Sequence, residues 1–331
     1  MKIKQLAGTN LQVSDICYGA GGFGSSCSGA DLDERIKVYR DAGGNFLDTA
    51  HCYAFWTPAG TGCSERAIGD YLRRNGRGNL VIATKGGHPT ADGYRNAEHW
   101  LSSETIHKDL EESLNWLGVE SIDLYWLHRD DTRVPAGQVI ESLNAEIRSG
   151  KIRFLGASNW HRSRIGEANA YARTHGLQGF VANEPEWNLA TRTVEPIDAP
   201  PGTGTEMRQL SSEDHEWHRR SGLTVIPYAS TAGGFFATNG ERAKNVYGNA
   251  VSLARLARAQ TLAKQREVSS GQIALAWLLN QDIPVIPIIG SLDVGHLIED
   301  LGAAEIRLTA AEVAWLAEGS VTNQANAVLS P

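Results

Sequence analysis

The sequence predicts an α/β fold, a closed (β/α)8 barrel of the TIM type, and three observations point to it. Short apolar runs alternate with longer stretches of helical period, eight such pairs occur, and no Pro-rich or Ser-rich linker divides the 331 residues. Repeated βα units build a parallel sheet. Eight of them in one domain close it into a barrel, whereas an open doubly wound sheet usually needs about six strands. A barrel typically takes about 250 residues, so the chain from 1 to 331 reads as a single domain.

The strands fall, in order, at "DICYG" (15–19), "NFLDTA" (45–50), "LVIATK" (80–85), "IDLYWLH" (122–128), "IRFLGAS" (152–158), "GFVAN" (179–183), "LTVIPY" (223–228) and "IPVIP" (283–287). Helical segments such as "DLDERIKVYRDAG", "SERAIGDYLRRNG", "SSETIHKDLEESLNWLG" and "PAGQVIESLNAEIRSG" separate them. Ser102 or Ser103 can cap a helix start, with Glu104 in the first turn, and Pro135 suits a first helical position. Gly43, Gly76, Gly118 and Gly150 close helices where a left-handed residue is useful.

Apolar residues make up 41% and charged residues 21%, the balance of an ordinary soluble globular protein. A net charge of -7 without a Lys/Arg cluster argues against a nucleic-acid partner. The four cysteines, Cys17, Cys27, Cys52 and Cys63, lack CxxC spacing, which speaks against a zinc site or disulfide framework. The N-terminal stretch has no continuous apolar segment, and no run of about 18 apolar residues follows. A soluble, cytoplasmic protein with no membrane partner is expected, its oligomeric state left open.

Two long loops, 54–63 after the second strand and 191–210 after the sixth, belong to the C-terminal face, where barrels bind substrates. Surface insertion explains them equally well, although Trp56 tips the first towards function. "GAGGFG" (19–24) fits the dinucleotide fingerprint G-x-G-x-x-G, but "SSCSGAD" intervenes before helical period begins. It reads instead as a glycine turn after the first strand, on the face that meets ligands.

In a barrel the ends of the strands converge on one mouth. Read in order they give Asp48, Lys85, His128 and Ser158 with Asn159, and Tyr53 follows Asp48 on its loop. Each alone has a bland explanation, as cap, solvated side chain or core histidine. Together they place an acid, a phenol, a lysine and an imidazole in one pocket. An ammonium favours phenolate and so lowers a phenol's pKa, and a carboxylate keeps a half-desolvated lysine charged. His128 then offers a hydrogen bond to a substrate oxygen. The set supplies acid-base catalysis on a carbonyl or alcohol, with no metal and no covalent nucleophile, and such chemistry needs a hydride carrier.

These segments resemble the aldo-keto reductase superfamily. "NFLDTAHCY", "VIATKGG", "SIDLYWLH", "GKIRFLGASNW", "EPEWNL" and "VIPYAS" occur in that family's order, from an N-terminal hairpin to about Leu316. The resemblance implies reduction of an aldehyde or ketone by NADP(H) or NAD(H) on a barrel, with a catalytic tetrad at Asp48, Tyr53, Lys85 and His128. Tyr53 would protonate the carbonyl oxygen. Ser158 and Asn159 would hold the carboxamide, Tyr228 would stack on the nicotinamide, the backbone around Ala229, Thr231 and Gly233 would approach the pyrophosphate, and Gly21 and Asp48 would also contact the cofactor. Gly290, Ser291, His296, Glu299 and Asp300 would face the adenosine end.

Three departures matter. Glu184 stands where the family commonly has Gln, and it can accept from the carboxamide amine but cannot donate. Segment 286–301 carries no Lys or Arg where NADP-specific members hold the 2'-phosphate, Gly290 and His296 occupying those places, so NAD(H) use becomes plausible. Soon after "LTAAEVAWLAEGS" only a short tail remains, so the long loop that narrows the pocket in some relatives is not expected.

Trp56, Trp160 and Trp187 offer flat faces near the mouth and Arg129 a donor fork, a combination that suits a sugar or another polyhydroxylated carbonyl. Core packing is the better reading of Trp126. Two rival readings exist. One is a nucleotide-binding sensor of the same family; the other is a metal-dependent hydrolase built on "EDHEWH", where His215 and His218 share a helix with Glu213 and Asp214. A charged, solvated helix face is the plainer account of that segment.

Overall fold

The computed structural model describes residues 1–91, 93–95, 98–193 and 207–319. An antiparallel hairpin, β1 (Ile3–Gln5) and β2 (Gln12–Ser14), precedes eight parallel strands. These are β3 (Cys17–Gly19), β4 (Phe46–Asp48), β5 (Val81–Gly86), β6 (Ile122–Leu127), β7 (Ile152–Ser158), β8 (Phe180–Glu184), β9 (Thr224–Val225) and β10 (Ile288–Ile289). They pair in chain order from β3 to β9, with β10 beside β3. Hydrogen bonds from Val225 N to Pro284 O and from Ile286 N to Val225 O, each 2.9 Å, join the two ends and close the barrel.

The helices are α1 (Gly29–Asp41), α2 (Cys63–Asn75), α3 (Ser103–Leu117), α4 (Ala136–Arg148), α5 (Arg162–Thr174), α6 (Ser212–Ser221), α7 (Lys244–Tyr247), α8 (Ala250–Arg266), α9 (Ser270–Leu279), α10 (Val294–Gly302) and α11 (Ala310–Glu318). Ser102 caps α3 by accepting from Thr105 N, while Pro135 is the cap of α4 rather than its first residue. Gly43, Gly76, Gly118 and Gly150 all take positive φ, from 66° to 89°, as the helix ends require. Helix α1 begins at Gly29, well past the glycine turn, so that turn is no dinucleotide fingerprint.

Two strand expectations need correction. The seventh strand is only β9, and the eighth shifts from 283–287 to β10. Prolines are the cause. Pro227, Pro284 and Pro287 carry no N–H, so the ladder is interrupted wherever one of them should donate.

Alternation along the strands sorts the interior into layers. Phe46, Val81, Ala83, Leu124, Trp126, Ala182, Ile226 and Ile286 fill the barrel, and Leu6, Leu11 and Val13 of the hairpin segment pack below them. The ring of Trp126 occupies the space over Gly156, where a Cβ would meet it at 2.1 Å. The next inward positions, Asp48 after Phe46, Lys85 after Ala83 and Glu184 after Ala182, form a buried polar layer on top of this apolar one.

Candidate active site

Lys85 organises that layer. Its ammonium donates to Asp48 Oδ2, to the Thr49 carbonyl at 3.0 Å and to the Tyr53 hydroxyl at 3.2 Å. Glu184 Oε1 also lies 3.2 Å from the same nitrogen. Burial alone favours a neutral amine, but the carboxylates of Asp48 and Glu184 reverse this and hold Lys85 charged, well above its ordinary range. Sequence reasoning paired Lys85 with Asp48 and missed Glu184 as a second partner. Nothing in one chain of letters tells that the ends of β5 and β8 come within contact across the barrel.

Tyr53 reaches the ammonium from a turn in which Ala54 takes a φ of 68°. Burial pushes the phenol up; Lys85 pulls it down as expected, but Asp48 and Glu184 push the same way as burial, so the phenol stays protonated. His128 is held neutral, far below its usual range, first by burial and then by Arg129, His88 and Lys85. Its Nδ1 lies 3.3 Å from Cys52 Sγ. Burial pushes that thiol up to about 12, so it keeps its proton and can donate a hydrogen bond to Nδ1, which leaves Nε2–H as the neutral imidazole's donor.

His51, unassigned from sequence, is structural. It bonds to the Tyr94 hydroxyl at 2.8 Å and Glu112 at 2.7 Å, and its ring lies 4.8 Å from that of Trp116. Its backbone N–H donates to the Lys85 carbonyl at 2.9 Å, so it ties the Tyr53 turn to β5 and α3.

Above the tetrad opens a cavity of about 440 Å³ lined by Cys52, Tyr53, Phe55, Trp56, His88, His128 and Arg129, among others. Trp56 is 64% exposed on its rim. Arg129 lines it too, donating to the His128 carbonyl at 2.8 Å. Trp160 and Trp187 do not line this cavity. Trp160 is buried against Phe180, ring centres 5.1 Å apart, and Trp187 packs on Trp277. For Trp160 the chain turns at the end of β7, where Asn159 takes a φ of 61°. Most of the second loop, 194–206, lies outside the described residues.

Beside the tetrad, Ser158 Oγ and Asn159 N both donate to the Glu184 carbonyl, at 2.9 and 3.3 Å. Asn159 Oδ1 accepts from the Tyr228 hydroxyl at 2.8 Å. Ala229 has a φ of 52° and Gly233 one of 60°, on a turn that includes Thr231. Further along the rim, Ser291 Oγ donates to Asp300 at 2.6 Å and the His296 amide to Asp293 at 2.9 Å, with Gly290 open to space and Glu299 on the same helix. Gly21 is likewise open. Burial raises the Asp300 carboxyl to about 6. The segment 286–301 is not without a basic neighbour, however. Arg35 of α1 donates to the Leu292 carbonyl at 2.5 Å, a contact that sequence gave no means of finding.

The rival metal set does not come together. His218 is buried, with one ring nitrogen 3.0 Å from Asn183 and the other 3.1 Å from the Leu223 carbonyl, whereas His215 faces Asp282. His218 also departs from the solvated helix face expected there.

A barrel mouth with a buried Lys–Asp pair touching a phenol, beside a neutral imidazole, is the equipment of an NAD(P)-dependent oxidoreductase that works on carbonyls. The model of the aldo/keto reductase family matches residues 15–319, and the chain belongs to that family. It is 29% identical to an uncharacterized oxidoreductase of Bacillus subtilis, over 93% of this chain and 92% of that one. Norsolorinic acid reductase B of Dothistroma septosporum is also 29% identical, over 95% and 80% of the two chains. An aryl-alcohol dehydrogenase of Pestalotiopsis microspora is 26% identical, over 94% and 79%.

Proposed function

We propose that this reductase transfers a hydride between a nicotinamide cofactor and the carbonyl of a sugar or other polyhydroxylated compound, with Tyr53 as proton donor in reduction and acceptor in reverse. The observation that carries the reading is the simultaneous contact of Lys85 with Asp48 and the Tyr53 hydroxyl. A bound cofactor supplies the hydride. The phenol, still protonated in its buried setting, gives its proton to the carbonyl oxygen, while Lys85 stabilises the phenolate left behind. The neutral His128 orients that oxygen through a hydrogen bond.

Ser158, Asn159, Glu184 and Tyr228 would hold the nicotinamide end, and the backbone at Gly21, Ala229, Thr231 and Gly233 the phosphates. A buried oxygen without a partner among the described residues, Glu184 Oε2, fits this assignment, since a carboxamide amine can donate to it. Gly290, Ser291, His296, Glu299 and Asp300 would receive the adenosine. NAD(H) is the better-supported form. The segment itself lacks Lys and Arg, and Arg35 already spends donors on the Leu292 and Asp31 carbonyls. Separate titrations with NADH and NADPH test this, and tighter binding of NADPH would overturn it.

Arg129 and His88 beside the Trp56 face support a hydroxylated substrate. A second reading, an aryl carbonyl, is favoured by the cluster of Phe55, Trp56 and Tyr94 rings with centres 5.0 and 5.4 Å from Phe55, and by the name of the Pestalotiopsis relative. Steady-state rates on aldoses, keto sugars and aromatic aldehydes separate the two; turnover confined to the last would sink the sugar reading.

A further inference from the structure

The charges beneath the mouth do not balance. Two buried carboxylates, Asp48 and Glu184, face one ammonium, and that ammonium has three protons to give. They go to Asp48, the Thr49 carbonyl and Tyr53. Glu184 gains the attraction of Lys85 at 3.2 Å without a proton of its own from it, and its Oε2 finds no donor among the described residues. A buried carboxylate so poorly served is expected to hold a proton.

The groups that face it agree. Cys17 comes from β3, Asp48 from β4, Tyr53 from the turn after β4, Lys85 from β5, Arg129 from the end of β6 and Tyr228 from the segment after β9. Burial first, then Asp48, lift the Glu184 carboxyl well above the usual carboxylate range, against the pull of Lys85 and Arg129. The Arg129 guanidinium is turned partly aside, to the His128 carbonyl.

The two states of a nicotinamide differ by one positive charge on the ring. We infer that Glu184 makes the site sense this charge: the cationic, oxidised cofactor is bound with Glu184 ionised, and the neutral, reduced cofactor with Glu184 protonated. This rests on the assignment of the nicotinamide to the Ser158–Asn159–Glu184 cluster made above. On binding of the oxidised form the Glu184 O–H bond breaks, the electron pair stays on the carboxylate and the proton leaves to solvent. Binding of the reduced form leaves the carboxyl intact. Oxidised-cofactor affinity therefore rises with pH, by up to about tenfold per unit, while reduced-cofactor affinity lacks this slope.

Calorimetric titration of the full chain with both forms of the preferred dinucleotide, between about pH 6 and 8 and in two buffers of different ionisation enthalpy, counts the protons. Ionisation of the adenosine phosphates is common to both forms and cancels in the comparison. Release with the oxidised form only is the expected result, lost in Glu184→Gln and kept in Tyr53→Phe. Equal proton counts for the two forms in the wild-type protein would overturn the inference even if the Gln variant failed to fold. Release that persists in Glu184→Gln, or disappears in Tyr53→Phe, would also overturn it by assigning the proton elsewhere. Failure of either dinucleotide to bind would instead refute the functional reading itself, and this inference with it.

Discussion

Replacing Tyr53 by Phe removes one oxygen atom from the site and little else. The hydroxyl's hydrogen-bond partner among the described residues is Lys85, at 3.2 Å, and the ammonium keeps its bonds to Asp48 and the Thr49 carbonyl. Loss of one hydrogen bond costs about 1 kcal/mol of stability. On the proposed assignment the chemical step loses its proton donor, and general acid catalysis of this kind contributes about 10²–10⁴-fold, roughly 3–5 kcal/mol of barrier. Turnover is therefore expected to fall by that factor, with dinucleotide affinity nearly unchanged. Steady-state kinetics, dinucleotide fluorescence titration and chemical denaturation read the three quantities separately. Wild-type turnover in the variant would refute the catalytic assignment and favour a nucleotide-binding sensor. A stability loss above about 3 kcal/mol would show that the phenol is mainly a structural group.

Trp56→Ala should raise the substrate KM about tenfold, roughly 1.4 kcal/mol, while a side chain 64% exposed leaves the melting curve almost in place; an unchanged KM would remove the loop from substrate binding. Gly156→Ala puts a Cβ 2.1 Å from the Trp126 ring and should cost about 1–3 kcal/mol by overpacking, read by denaturant midpoint. Glu65, buried on α2 and bonded by Thr84 at 2.5 Å, has its carboxyl raised from 4.5 to about 7, first by burial. Between those values the native state holds a proton that the unfolded chain has lost, so stability falls as pH rises from about 4.5 to 7, by roughly 3 kcal/mol. Glu65→Gln should flatten that slope, and an unaltered pH profile of the denaturant midpoint would refute it.

What sequence conveys here depends on period. Asp48, Lys85 and His128 were legible because each ends an apolar run, and in a closed barrel that alone brings strand ends to one mouth. The same reasoning placed Trp126 in the core, where its neighbours Leu124 and Ala182 confirm the inward face. Period fails where proline breaks the ladder, so β9 is shorter than the expected 223–228 and β10 lies just beyond the expected 283–287. It also fails one residue beyond a strand. Trp160 follows Asn159 directly, past a left-handed turn that period does not foretell, and its ring goes into the shell against Phe180. Contacts between distant segments carry no local signal at all, which is why Arg35 beside Leu292, and Tyr94 and Glu112 around His51, had to be seen in three dimensions.

The layering of the barrel also explains why ionisation at the mouth departs from solution values in one consistent sense. Asp48, Lys85 and Glu184 rest on an apolar layer of Phe46, Ala83, Trp126 and Ala182 and are each 2% exposed or less. Burial is then the first influence on each group, and it favours the uncharged form. Tyr53 keeps its proton, His128 stays neutral and Glu184 is driven towards the acid. Only Lys85 resists, and it does so first because the Asp48 carboxylate pairs with it directly. A site so short of compensating charge responds to whatever charge is brought into it. If Tyr53 and Glu184 act as proposed, the nicotinamide ring changes charge in the very step that Tyr53 assists, and a second carboxylate at this position would tie protonation to redox state, where a glutamine would only hold the carboxamide.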